Sequence, residues 1–145
     1  MTLLELMVSC SILIVLATVS LPLARVTVKR EKETRLRNDL REMRDAIDRY
    51  KVAADKNQLL QQPGTEDYPQ TLQALVDGVQ ESGQSGRIVK FLREIPVDPM
   101  TGQADWKLRS VQDDADSPTW GGQDVFDVHS ESTDTSLNGT KYSDW

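Results

Sequence analysis

Cysteine and histidine each occur once in this 145-residue chain. Cys10 alone excludes an intramolecular disulfide and any cysteine-rich zinc site. His129 alone excludes a multi-histidine metal centre and leaves a histidine-based catalytic triad one candidate base. No serine or cysteine nucleophile motif accompanies it, so the sequence points away from an enzyme. A surplus of basic residues is missing as well. The net charge is −6 and the pI about 4.8, which disfavours nucleic acid as a partner because phosphate binding draws on Lys and Arg. Glycine is absent before Gly64, and the only earlier proline than Pro63 is Pro22. The first third of the chain therefore holds almost nothing that stops a helix.

The residues that are present are strongly segregated. Residues 1–24 carry one charged side chain, Glu5. Residues 25–57 hold 11 Lys/Arg against 7 Asp/Glu, a net of +4, and residues 58–145 hold 6 against 15, a net of −9. Three regions follow: an apolar head at 1–24, a basic amphipathic stretch at 25–57 and an acidic body at 58–145.

From Leu3 to Leu23 the chain reads LLELMVSCSILIVLATVSLPL, 21 residues with one charge. About 20 apolar residues suffice for a helix to cross a bilayer core. A secretory signal peptide would show a basic n-region, and no Lys or Arg stands ahead of this run. A buried core helix would need a larger body to enclose it. Residence in a membrane is the expectation. Past the run, Leu36, Leu40, Met43, Ile47, Tyr50 and Ala54 recur in steps of four and three, one helical stripe. Arg37, Arg41, Arg44, Asp45, Asp48 and Lys51 fall on the other faces, which reads as a solvated surface. The pattern predicts one helix from about 2 to 55, about 80 Å long, kinked or locally opened at Pro22.

The body predicts an α+β head. Tyr68 to Val76 reads as a short helix with Leu72, Leu75 and Val76 inward. Gly78, Gly83 and Gly86 mark turns, and Ile88–Leu92 reads equally as strand or helical turn. Residues 106–111 and 125–130 alternate as two strands of a small antiparallel sheet. Alternation leaves His129 facing either side. Cys10 reads as a small buried hydrophobe.

These features together resemble the type IV pilin-like superfamily, most closely the major pseudopilin of type II secretion systems. The start Met1-Thr2-Leu3-Leu4-Glu5 is similar to the mature N-terminus of such subunits, with Met where the family has Phe, and Pro22 matches the family's helix-breaking proline. The blocks Tyr68-Pro69-x-Thr71-Leu72-x-x-Leu75-Val76 and Ile95-Pro96-Val97-Asp98-Pro99 follow in order. Gly102, Trp106, Phe126-Asp127-Val128-x-Ser130 and Tyr142-x-x-Trp145 complete the match, which covers nearly the whole chain.

The resemblance implies a long N-terminal helix packed on a small antiparallel head, anchored once in a bacterial inner membrane with the head in the periplasm. It implies a structural subunit of a pseudopilus, a filament that polymerises to drive protein export. Its partners would be further copies of itself, minor pseudopilins, an inner-membrane assembly platform and a prepilin peptidase. Met1 would carry an N-methylated amine that pairs with Glu5 and sets assembly register; an isolated carboxylate in an apolar helix costs roughly 2.5–3.5 kcal/mol. Pro22 would let the helix open between about residues 14 and 22 within the filament. Arg25, Lys29, Arg30 and Lys32 alone would draw the C-terminal side into the cytoplasm, so the resemblance also implies a basic leader ahead of Met1. The family binds calcium in its C-terminal loop, and Ser130–Thr135 matches that loop in part. Asp134 is the carried-over ligand, and Asp124, Asp127, Glu131 and Asp144 are substitutes by chemistry alone. Two other functions remain open: the shaft of a type IV pilus, and a membrane-anchored binding or enzymatic domain that never polymerises.

Overall fold

Thr2 adopts extended backbone and its hydroxyl accepts the Glu5 N–H at 3.3 Å, capping the helix that follows. The computed structural model describes residues 2–145 except 61–62, 84–85, 115–116 and 118, and leaves the side chains of 19–23 undescribed. Helix α1 runs from Leu3 to Asp55, 53 residues and about 80 Å, and ends as Lys56 and left-handed Asn57 turn the chain back. The chain is thus α+β, with small antiparallel sheets beside one long helix. The helical backbone runs without a break through Pro22, and Met1 lies outside the described residues.

Only the second half of α1 touches the body. Leu36, Leu40, Met43, Ile47, Tyr50 and Ala54 are all buried, as their spacing predicts, and Ala46 joins them. Against this stripe pack Leu72, Leu75, Phe91, Leu92, Trp106, Val125, Val128 and Tyr142. Tyr50 meets Phe91 edge-on at 5.4 Å between ring centroids.

Helix α2 spans Leu72–Asp77, shorter than the sequence suggests because Thr71 is extended and caps it from outside through the Ala74 N–H. Leu72 and Leu75 are buried, and Val76 is partly so. Gly78 follows at φ +90°, and a Cβ there would meet Ile88 Cγ2 at 2.5 Å, so this turn requires glycine. It leads into β1 (Val79–Gln80), a strand the sequence did not signal, which pairs antiparallel with β2 (Ile88–Val89). The ambiguous 88–92 segment resolves into two parts: after β2, the Phe91 and Leu92 N–H groups both donate to the Leu75 carbonyl at 3.0 Å.

Strand β3 (Trp106–Arg109) pairs antiparallel with β4 (Asp127–Ser130), with Trp106 opposite Ser130 and Arg109 opposite Asp127. Both are shorter than alternation suggests. The Ser110 and Val111 N–H groups turn away to the carboxylates of Asp113 and Asp124 (2.9 and 3.1 Å), which stops β3. The Val125 N–H goes to the Pro69 carbonyl at 2.8 Å, which delays β4. Among the described residues the strands form two separate pairs: β3–β4 is the expected antiparallel sheet, and β1–β2 is an addition to it.

The prolines between them have a defined task. Asp98 is fully buried and accepts the Ser130 hydroxyl at 2.6 Å and the Met100 N–H at 2.7 Å, while Trp106 Nε1 donates to the Pro96 carbonyl at 2.9 Å. This turn ties the 95–102 segment to both β3 and β4.

Because the body has no disulfide and only short strands, the helix stripe should dominate its stability. Met43→Ala, at a fully buried position, should cost about 2–5 kcal/mol in urea unfolding of the chain, whereas Arg41→Ala on the exposed face should stay within about 0.5 kcal/mol.

Candidate functional site: an apolar stem and the seam at its base

The stem is residues 3–18 of α1. Leu3, Leu4, Met7, Leu13, Ile14 and Val15 are each more than half exposed. The consecutive run Ile12–Leu16 is exposed at every position, and five consecutive residues point around more than a full helical turn. The surface is therefore apolar all round, unlike the one-sided stripe further along, and a helix of that kind is normally buried in a large assembly or a membrane. Its few polar side chains satisfy themselves. Ser9 and Ser11 donate to the Glu5 and Met7 carbonyls at 2.8 and 2.7 Å, and Thr18 donates to the Val15 carbonyl at 2.7 Å. Glu5 is the exception: among the described residues its carboxylate has no ion-pair partner. Cys10, expected as a buried hydrophobe, is free and exposed because no neighbour covers this turn. Among the described residues no helix is long and apolar enough to cross a membrane; the described side chains of the apolar run stop at Thr18.

At the base of the stem the C-terminal segment closes onto α1. Lys29 Nζ donates to the Thr135 carbonyl at 2.7 Å. Glu33 accepts the Leu137 N–H at 2.8 Å and the Tyr142 hydroxyl at 2.9 Å. The Arg37 guanidinium lies 4.2 Å from the centroid of the Trp145 ring. Arg44 donates from Nε to Asp127 at 2.6 Å and from Nη2 to the backbone oxygens of Val128 and Trp145 at 2.9 and 2.6 Å. Lys29, Glu33, Arg37 and Arg44 follow helical spacing, so they form one stripe beside the apolar one. Tyr142 is buried and meets Trp145 edge-on at 5.2 Å, which anchors the tail.

Arg37 and Arg44, read from the sequence as a solvated face, thus belong to this seam. Arg44 is half-buried where the tail runs alongside the helix, whereas Arg37 stays exposed and lays its guanidinium over the Trp145 ring. The i, i+4, i+8 spacing of Lys29, Glu33 and Arg37 was the available signal, but it does not say what they bind.

His129 is buried, with Nδ1 3.0 Å from the Trp145 oxygen and Nε2 3.1 Å from Asp127. Burial works to raise the Asp127 carboxyl, but its contacts with His129 and Arg44, plus the Val128 N–H, outweigh burial and hold it at about 2. Burial, and then the Glu33 carboxylate, push the Tyr142 phenol up to about 12.

The carboxylates considered for calcium do not converge. Asp127 is committed to Arg44 and His129. Asp124 lies fully buried under the β3 end, one oxygen on the Val111 N–H and the other unpartnered, and burial pushes its carboxyl up. Glu131 and Asp144 are exposed, and Asp134 shares an open cleft with Arg25, Lys29 and Lys32. Among the described residues no group of three or more His, Cys, Asp or Glu is placed to hold a metal. A cationic neighbourhood and an ion-paired carboxylate are poor calcium ligands.

Compared with family models, curated proteins and solved structures, the chain matches none.

The seam should respond to acid through Asp127. Its folded-state value lies below the ordinary carboxylate value, so the stability it supplies is complete above about pH 4 and is lost as pH falls toward 2. Asp127→Asn should lower stability at neutral pH by about 1–2 kcal/mol, after allowance for the solvent exposure of Arg44. It should also flatten the fall in thermal midpoint between about pH 4 and 2.

Proposed function

We propose that this protein is a structural subunit of a pilus-like filament, a pseudopilus of the type II secretion kind. It waits in a bacterial inner membrane with its head in the periplasm and polymerises to push cargo through an outer-membrane pore. The observation that carries this reading is the stem: apolar on every face, exposed along its described length, and continuous with a helix whose other half is the core of the head. Such a surface needs cover in both its states. Lipid supplies it before assembly, and the stems of neighbouring copies supply it afterwards. Burying a Leu or Ile side chain contributes roughly 1.5–3 kcal/mol, so a dozen such contacts per subunit give a filament core with ample cohesion even after ordering costs.

Glu5 then decides register. Placed among apolar stems, its carboxylate requires a positive partner. The amine at Met1, N-methylated by resemblance, is the cation at the right end of the helix, and a neighbouring stem offers it when the two are offset correctly. Pro22 would allow the helix to loosen as stems pack. Minor pseudopilins, an assembly platform and a prepilin peptidase are the partners this reading requires. The self-satisfied hydroxyls of Ser9, Ser11 and Thr18 support it, since polar groups in an apolar environment must find partners within their own helix. Catalysis has no part in the reading.

Glu5→Ala should leave the head folded, as judged by an unchanged thermal midpoint, and should leave the chain in the membrane fraction. Filament yield by electron microscopy should fall by about tenfold or more. Normal filaments from this variant would overturn the register role, and a wild-type chain that stays monomeric at high concentration in detergent would favour a non-polymerising anchored domain.

A further inference from the structure

An open cleft of about 500 Å³ lies where the apolar stem meets the head, within the size range of small-molecule sites. One wall is α1, through Arg25, Lys29 and Lys32; the other is the head, through Met100, Asp134 and Tyr142. Three cations thus face one carboxylate. Lys29 is already held by the Thr135 carbonyl and lies 6.0 Å from the Tyr142 ring centroid. Arg25 and Lys32 are exposed and, among the described residues, have no ion-pair partner.

We propose that this cleft binds the headgroup of an anionic phospholipid, with the phosphate held by Arg25 and Lys32 and the acyl chains lying along the stem. The inference rests on the membrane-resident reading above and names a partner within it. Its position supports the choice of ligand. Arg25 stands two residues past the apolar run, and Arg25 to Lys32 span about 10 Å of helix, the scale of the headgroup layer beside the hydrocarbon core. Ala24 and Val28, which also line the cleft, continue the apolar surface upward into it, so the site offers charge and hydrocarbon contact together. A soluble anion would use only the first.

The cleft also addresses a problem set by the charges themselves. Basic residues beyond a membrane span are attracted to anionic lipid, each contributing on the order of 1 kcal/mol. A head with a negative surface would otherwise be repelled from the same lipids. Cations concentrated at the stem's base, with Asp134 the one opposing carboxylate in the cleft, let the head sit close to the membrane until the subunit is extracted.

The test uses the full chain in uncharged detergent micelles, titrated with short-chain phosphatidylglycerol, short-chain phosphatidylcholine or inorganic phosphate, with bound lipid read by native mass spectrometry. The expected result is preferential retention of phosphatidylglycerol that weakens as salt rises. Arg25→Gln/Lys32→Gln should lower its apparent affinity by roughly twenty-five-fold, about fivefold for each charge removed. Both side chains are exposed, so near-ultraviolet circular dichroism should show the variant's head unchanged. Equal retention of the two lipids, or undiminished phosphatidylglycerol binding in the double variant, would overturn the proposal. Displacement of the lipid by equimolar inorganic phosphate would also overturn it, because the site would then be one for a soluble anion. A chain that fails to enter micelles at all would instead overturn the membrane reading on which the proposal stands.

Discussion

The body of this protein cannot complete a hydrophobic core without α1. Its strands are two to four residues long, its second helix has six residues, and it has no disulfide. Isolated strand pairs of that size are marginal in water. Leu36, Leu40, Met43, Ala46, Ile47 and Tyr50 supply the missing wall, and every element of the head is arranged around it. The same helix that exposes an apolar stem is therefore the structural centre of the head.

That dependence places the stem and the core wall of the head on one continuous helix. The seam prevents the C-terminal segment from lifting away, and it does so with charge because the apolar flank of α1 is already used. Arg44 is its densest point, joining Asp127 on β4 to the backbone of the final residue. Partly exposed ion pairs contribute little singly; here Lys29, Glu33, Arg37 and Arg44 act along one line and are backed by the buried Tyr142 ring.

The long helix, its inward stripe and the place where burial begins were all legible in the sequence, because helical periodicity is a local property. Gly78 as a turn was readable for the same reason, whereas Thr71, read as part of a helix from Tyr68, caps it from outside instead. Strand limits were not. β3 and β4 stop where Asp113, Asp124 and Pro69 take N–H groups that alternation would assign to the ladder. β1 is two residues long and has no pattern to read, since it exists only because Gly78 places it against β2. His129, free to face either way by alternation, is buried because β4 packs against α1 on one face and the C-terminal turn on the other.

The sequence by itself determined where the chain is apolar, which helix face turns inward and how charge is divided along its length, since each depends on neighbours within a few residues. Only the tertiary structure decided what those charges do. Arg44 finds Asp127 across 83 residues, Glu33 finds Tyr142 across 109, and Ser130 finds Asp98 across 32. Pairings at that separation leave no periodic trace, because they arise from the folded path of the backbone. The candidate calcium ligands illustrate the same limit: their acidity was plain from composition, but the fold gives one to an arginine, buries another and sets a third among cations.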